Sequence, residues 1–177
     1  MSTIETFAPA GTWSADPVHS NVSFEVGYAG VNAFRGGFKE FTAVLSGETL
    51  EGSATVASVD VKDEQLNGHL QTPDFFDAQR FPEITFKATE LRRLEGGRVE
   101  AKGELTIKGV TKPVVVSGTI AQPLTDPYGN ERIGLNVGTT VDRTEFGVSW
   151  NAELPTRQPA LANEVKLVAE LFFVRQA

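Results

Sequence analysis

Between residues 98 and 108, Val99, Ala101, Gly103, Leu105 and Ile107 alternate without a break with Glu100, Lys102, Glu104, Thr106 and Lys108. That two-residue period is the mark of a strand with one dry face and one wet face. It recurs over residues 21–28, where Val22, Phe24, Val26 and Tyr28 oppose Asn21, Ser23, Glu25 and Gly27. Further strands are predicted over 38–45, where the alternation is impure, and over 53–62, after the turn residues Ser46-Gly47 and Glu51-Gly52. Residues 84–94 and 98–108 flank Gly96-Gly97, a two-residue hairpin signal. Strands over 114–121 and 133–141 follow turns at Gly109-Val110-Thr111-Lys112-Pro113 and Asp126-Pro127-Tyr128-Gly129-Asn130. A proline-bearing crossover near Pro155 and Pro159 leads to a last strand over 164–174, while residues 30–37 read as irregular.

One helix is predicted, over 63–72, with Asp63 as its N-cap, Leu66 and Leu70 four apart, and Pro73 ending it. The stretch that follows cannot be one regular element, because Pro73 and Pro82 each remove a donor and bar the preceding residue from helical torsions. Within it the pair Phe75-Phe76 is flanked by Asp74 and Asp77. A loop that carries such a pair turns its rings inward and its carboxylates to solvent or to backbone donors, which describes a lid. The same residues also suit a plug at a barrel end with turn-capping aspartates.

About eight antiparallel strands at hairpin spacing, with one or two short helices, make an all-β domain, either a packed sandwich or a closed antiparallel barrel. Both architectures ask for apolar residues at alternate positions, so the pattern does not separate them. No repeat or linker interrupts the chain, and residues 1–177 read as a single domain.

The absence of cysteine excludes disulfides, thiolate nucleophiles and sulfur-ligated metals. A formal charge of -7 with no basic block argues against nucleic acid and anionic membrane surfaces as partners. No stretch is apolar enough to make an integral membrane protein, and residues 1–11 lack the basic start and apolar run of a secretion signal, so the chain is read as cytoplasmic. His19 and His69 are the two side chains that titrate near neutrality, and they lie in neither His-x-His nor His-Glu-x-x-His spacing. No nucleophile elbow, phosphate loop or dinucleotide fingerprint occurs. The expectation is therefore no metal, no cofactor and no enzyme. Arg143 ends a strand beside Phe146-Gly147, where it would answer Asp74 or Asp77 across a barrel mouth, as an ion pair pinning a lid or as a contact to a ligand head group.

Several segments in order resemble the YceI-like family. They are Asp16-Pro17-Val18-His19-Ser20 with Phe24 and Val26, Gly37-Phe38, and His69-Leu70 leading into Asp74-Phe75-Phe76-Asp77. Phe81-Pro82 with Phe86, the run from Gly103 to Pro113, Arg143-Thr144-Glu145-Phe146-Gly147 and Glu164-Val165-Lys166-Leu167 continue the likeness over nearly the whole chain. The resemblance implies a lipocalin-like barrel, open at one end, that stores or carries a long isoprenoid such as a quinone tail or prenyl phosphate. Two departures stand out: many members carry a secretion signal, and the family commonly has a histidine where this chain has Tyr28.

At roughly 0.8 kcal/mol per buried methylene, a few isoprene units are worth nominally more than about 10 kcal/mol before ordering costs, so selectivity should follow tail length. The inward phase of the strands plus the lid aromatics gives the expected ligand-binding wall: Phe24, Val26, Tyr28, Phe38, Phe41, Phe75, Phe76, Phe86, Leu105, Leu135, Val137, Phe146 and Trp150, with Arg143. The rivals are a ligand-free stress-response or protein-interaction module, which needs a filled interior, and a small enzyme using His19 or His69, which needs that ring facing the cavity beside a carboxylate. Strand edges leave room for a homodimer.

Overall fold

In the computed structural model, which describes residues 7–176, the alternating segments satisfy their backbone groups by antiparallel pairing with strands that mostly neighbour them in sequence. The strands are β1 Thr12–Ala15, β2 Asn21–Tyr28, β3 Asn32–Phe38, β4 Phe41–Ser46, β5 Thr49–Thr55, β6 Val59–Asp60, β7 Glu83–Arg93, β8 Arg98–Ile107, β9 Val110–Ile120, β10 Leu124–Thr125, β11 Glu131–Asp142 and β12 Leu161–Arg175. The helix α1 spans Glu64–Leu70, and Asp63 caps it by accepting from the Leu66 amide at 2.9 Å. Short 3-10 turns occupy Val56–Ser58, Glu95–Gly97 and Arg143–Phe146. The reading of residues 1–11 as free of a secretion signal falls, for residues 1–6, outside the described residues.

Pairing runs β1-β4-β5-β7-β8-β9-β11-β12 and back to β1, a closed antiparallel barrel of eight strands. Closure depends on β12, whose one edge pairs with β11 while the other is shared. Its Phe173 to Arg175 segment pairs with β1, and its Leu161 to Glu170 segment pairs with β2. The β2–β3 hairpin therefore stands in the wall above β1, and among the described residues β3 is tied onward only by β6, at Gly37 and Phe38. On the far side β9 and β11 pair only from Ser117 to Ile120 with Leu135 to Gly138. The barrel is cinched at the β1 end and spreads at the other.

The cinched end is filled. Phe7, Trp13, Leu45, Ile133, Leu135 and Phe173 lie there in one buried cluster, each at most 3% exposed, and the Trp13 indole donates to the Pro9 carbonyl at 3.1 Å. A second cluster, with Phe24, Phe38, Val61, Leu70, Phe75 and Phe146, gathers under α1 and the loops of the wide end.

Five sequence-based expectations are corrected here. Residues 38–45 are not one strand but two meeting at a corner, where the Lys39 and Glu40 amides donate to the Ser58 carbonyl and hydroxyl; the change of direction is what made the alternation impure. Residues 53–62 break at the 3-10 turn, and Glu51-Gly52 lie inside β5 rather than in a turn. Residues 30–37, expected to be irregular, hold most of β3, in which Gly36 leaves space for Phe24 and Val61; a Cβ there would lie 2.5 Å and 2.6 Å from them. The turn expected over 109–113 is the two-residue Lys108-Gly109, and Pro113 sits within β9 opposite Glu104.

Candidate functional site

Between the two clusters lies a cavity of about 800 Å³. Ala43, Leu50 and Leu171 form its floor, the side walls are strand residues in the inward phase, and Leu66, Leu70, Phe75, Phe76, Phe146 and Trp150 close over its upper end. Lining residues such as Phe41, Val137 and Ala169 are only half-buried, because their side chains face empty space rather than one another. The exposed lining residues Tyr28, Val31, Asn32, Ala33 and Ala152 mark the opening, between the β2–β3 turn and the chain that leads into β12.

The lid over 71–82 is held by its own backbone. The Phe76 amide donates to the Leu70 carbonyl, the Phe75 and Asp77 amides to the Thr72 carbonyl, and the Arg80 and Phe81 amides to the Asp77 carbonyl. Phe75 is buried at 6% exposure, and its ring lies 5.3 Å from that of Trp150 and 5.0 Å, edge-on, from that of His69. Phe76 meets Phe38 edge-on at 6.0 Å, and Phe38 meets Phe24 at 5.8 Å, so lid and wall share one chain of rings. Lys108, in the turn between β8 and β9, donates to the Pro73 carbonyl at 2.6 Å and the Gly147 carbonyl at 3.2 Å, which fastens the lid to the loop on the opposite side.

The residues expected on the wall line this cavity with one exception. Leu135 is fully buried in the cluster below the floor, because its register opposite Ile120 and Leu171 sets it at the cinched level of the barrel. Sequence reasoning missed Val22, Leu66, Ile84, Val116, Val141 and Leu167, which share the same inward phase or the apolar side of α1.

Arg143 answers neither lid aspartate. Asp74 pairs with His69 at 3.0 Å, and Asp77 is buried beside Arg80 at 3.6 Å. Arg143 is itself buried, and its donors go to carbonyls: Nε to Ala162 at 2.9 Å, Nη1 to Val148 at 2.6 Å and to Trp150 at 2.9 Å. Burial pushes its pKa below the usual arginine value, an effect opposed by the Asp142 charge.

His69 lines the cavity between the rings of Phe75 and Trp150 with a carboxylate at its Nε2, so it meets the geometric condition set for the enzyme reading. His19 does not. It lies near the cinched end, 2.6 Å from Asp16, which also accepts from Arg132 at 2.9 Å; Arg132 in turn donates to Asp126 at 2.6 Å. Hydrogen bonds from Arg132 are the main reason that Asp16 and Asp126 are each pulled down to about 2. Among the described residues no group of three or more His, Asp or Glu is placed to hold a metal, and no helix is long and apolar enough to cross a membrane.

An eight-stranded antiparallel barrel, floored at one end and open at the other onto a hollow lined with carbon, is a lipocalin-like barrel. The chain belongs to the YceI-like family: the YceI-like domain matches residues 13–173. A UPF0312 protein of Pseudomonas putida is 31% identical over 137 residues, covering 73% of this chain and 71% of its own. Among solved structures, Burkholderia cenocepacia BcnA is 26% identical with a TM-score of 0.76, over 89% of this chain and 98% of that one. A polyisoprenoid binding domain from Saccharophagus degradans shares the fold with a TM-score of 0.68 at 11% identity, over 93% of this chain and 98% of that one.

Proposed function

We propose that the protein binds a long-chain isoprenoid or similar lipid, such as a quinone tail or prenyl phosphate, non-covalently in the barrel interior for storage or transport. The observation that carries this reading is the hollow itself: about 800 Å³ bounded by strand side chains, stopped by a packed floor and covered by aromatic rings. A dry apolar cavity of roughly 150 Å³ takes one benzene, so this one holds roughly 30 carbons, about six isoprene units. At roughly 0.8 kcal/mol per methylene their transfer from water exceeds the ~4–15 kcal/mol cost of association, and no polar anchor is needed for retention. Family membership, and the fold shared with a polyisoprenoid binding domain, support the same reading. The ligand-free interaction module required side chains meeting across a filled interior, and here the interior is empty at mid-height.

Organic extraction of the purified protein, followed by mass spectrometry, should yield a stoichiometric lipid after expression in an isoprenoid-rich host. Phe76→Asp sets a carboxylate among the rings at the top of the cavity and should abolish that lipid while circular dichroism stays unchanged. A lipid-free wild type counts against the proposal.

A further inference from the structure

The mouth of the cavity carries apolar side chains on a fixed backbone. The β2–β3 hairpin runs from Val26 to Phe34 without a charged residue. At its tip Val31 is 85% exposed and Tyr28 53% exposed, and both line the opening of the hollow. Ala29 and Gly30, both at positive φ, close the turn; the Val31 amide donates to the Tyr28 carbonyl at 3.1 Å, and the Ala29 amide donates to the Ala160 carbonyl on the facing lip at 2.7 Å. In that facing lip the Leu154 amide donates to the Gln158 carbonyl, and the Asn151 side chain both donates to the Leu161 carbonyl and accepts from the Leu161 amide. Its exposed charges are Glu153 and Arg157, one of each sign, while Arg35, farther along β3, faces Glu25 at 3.4 Å. A lone exposed valine is ordinary, but one held on the rim of an apolar hollow beside a tyrosine is placed for a partner that is itself apolar.

We propose that this mouth docks on the surface of an uncharged lipid bilayer, with Val31 among the acyl chains and Tyr28 at head-group level, so that a tail slides between bilayer and cavity without crossing water. This rests on the lipid-binding reading and adds the partner that gives up or receives the tail. Each methylene is worth a factor of about four in partition, so a tail of roughly 30 carbons does not leave a bilayer through water at a useful rate, and direct contact between mouth and bilayer removes that barrier. A tyrosine suits the boundary, because its ring is apolar and its hydroxyl stays hydrated. No basic cluster stands at the mouth and the chain carries a formal charge of -7, so the attraction is apolar, indifferent to salt and weakened by anionic lipid. Two side chains at a tip make a brief contact rather than an anchor, as repeated loading and unloading requires.

The test uses the delipidated full chain and phosphatidylcholine vesicles loaded with a radiolabelled polyprenol of about six isoprene units. The initial rate of uptake should climb in proportion to vesicle concentration, be the same at low and high salt, and not rise when phosphatidylglycerol replaces part of the phosphatidylcholine. Val31→Asp should slow uptake about 10-fold or more, the loss expected when the burial of a valine is exchanged for a charge. Independently, the fluorescence of Val31→Trp should be quenched by brominated phosphatidylcholine, and that of Tyr128→Trp, exposed in the 126–130 turn at the cinched end, should not; this decides the matter if Val31→Asp does not fold. A rate independent of vesicle concentration, which marks desorption into water, or a rate that rises with anionic lipid, or no quenching of Val31→Trp beyond that of Tyr128→Trp, overturns the proposal and leaves lipid binding standing. So does uptake from detergent micelles with none from vesicles, which points to a protein donor, and so does a wild-type dimer that Val31→Asp renders monomeric, which shows the mouth covered by a second copy. No uptake from either vesicles or micelles overturns both.

Discussion

Ala169→Phe tests whether a tail reaches the floor of the cavity. Ala169 lies on β12 opposite Val137 and Val22, lines the cavity, and stands one inward position above Leu171 of the floor. The new ring adds the equivalent of a benzene, which occupies ~150 Å³, so about a fifth of the 800 Å³ is lost from the bottom upward. Capacity falls by roughly six carbons, a little more than one isoprene unit. Folding should change little, because burying the ring gains ~1.5–3 kcal/mol and crowding the wall costs ~1–3 kcal/mol. For a tail that fills the native cavity the lost burial is ~5 kcal/mol, more than a 1,000-fold loss of affinity, while a tail one unit shorter keeps its contacts. Native mass spectrometry of delipidated wild type and variant against polyprenols of increasing length should show the optimum move down by one unit. An unmoved optimum would refute the idea that the tail ends on the floor.

Three further outcomes follow from the same geometry. Asp16 and Asp126 titrate at about 2 instead of 3.8, chiefly because of Arg132, so their contribution is complete above pH ~4 and fades as the pH falls toward ~2. Arg132→Met should therefore be less stable than wild type in urea at pH 7, and the gap should narrow by pH 2; a gap that does not change with pH contradicts this. Gly103→Ala would bring a Cβ to 2.6 Å from both the Lys87 carbonyl and the Phe86 ring, and denaturant melts should show a loss of ~1–3 kcal/mol. Lys108→Met removes the bridge between the Pro73 and Gly147 carbonyls, and hydrogen exchange should quicken in residues 71–82 while β8 and β9 stay protected.

The fold was legible where one side-chain phase ran unbroken, as over β2 and β8, and where the chemistry of a turn was local, as at the Asp63 cap and at the hairpin of Gly96-Gly97, although its loop is the three residues Glu95–Gly97 rather than the two expected. It was illegible where a tertiary contact decided the local structure. β3 carries Arg35-Gly36-Gly37, which signals a loop, yet Gly36 is bare because Phe24 and Val61 need its space. The corner at Lys39-Glu40 depends on Ser58, eighteen residues from Glu40 in the chain. The cavity wall followed from phase, but phase says nothing about height along the barrel, which is why Leu135 was placed on the wall when it lies below the floor. Arg143 lies at the cavity but does not pair with the lid: charge suggested the lid aspartates, whereas three backbone carbonyls, which sequence does not advertise, hold it.

What separates the hollow from the filled end is a change of side-chain size along the strands. On β4 the inward residues run from Ala43 at the cavity to Leu45 in the core; on β11, from Val137 to Leu135 and Ile133; on β12, from Ala169 to Leu171 and Phe173. An eight-stranded barrel is just wide enough for its own side chains to fill, so large residues at the cinched end leave nothing empty. Smaller ones higher up, with β2–β3 replacing β1 in the wall and β9 parting from β11, leave a space that no neighbouring strand can reach across. The upper cluster reverses the trend by bringing in residues from outside the barrel, Leu70, Phe75 and Phe146, which cap the space without occupying it. The volume available to a tail is therefore set by where small gives way to large on β4, β11 and β12, and a substitution at that boundary alters capacity without touching the hydrogen-bonded ring that holds the barrel together.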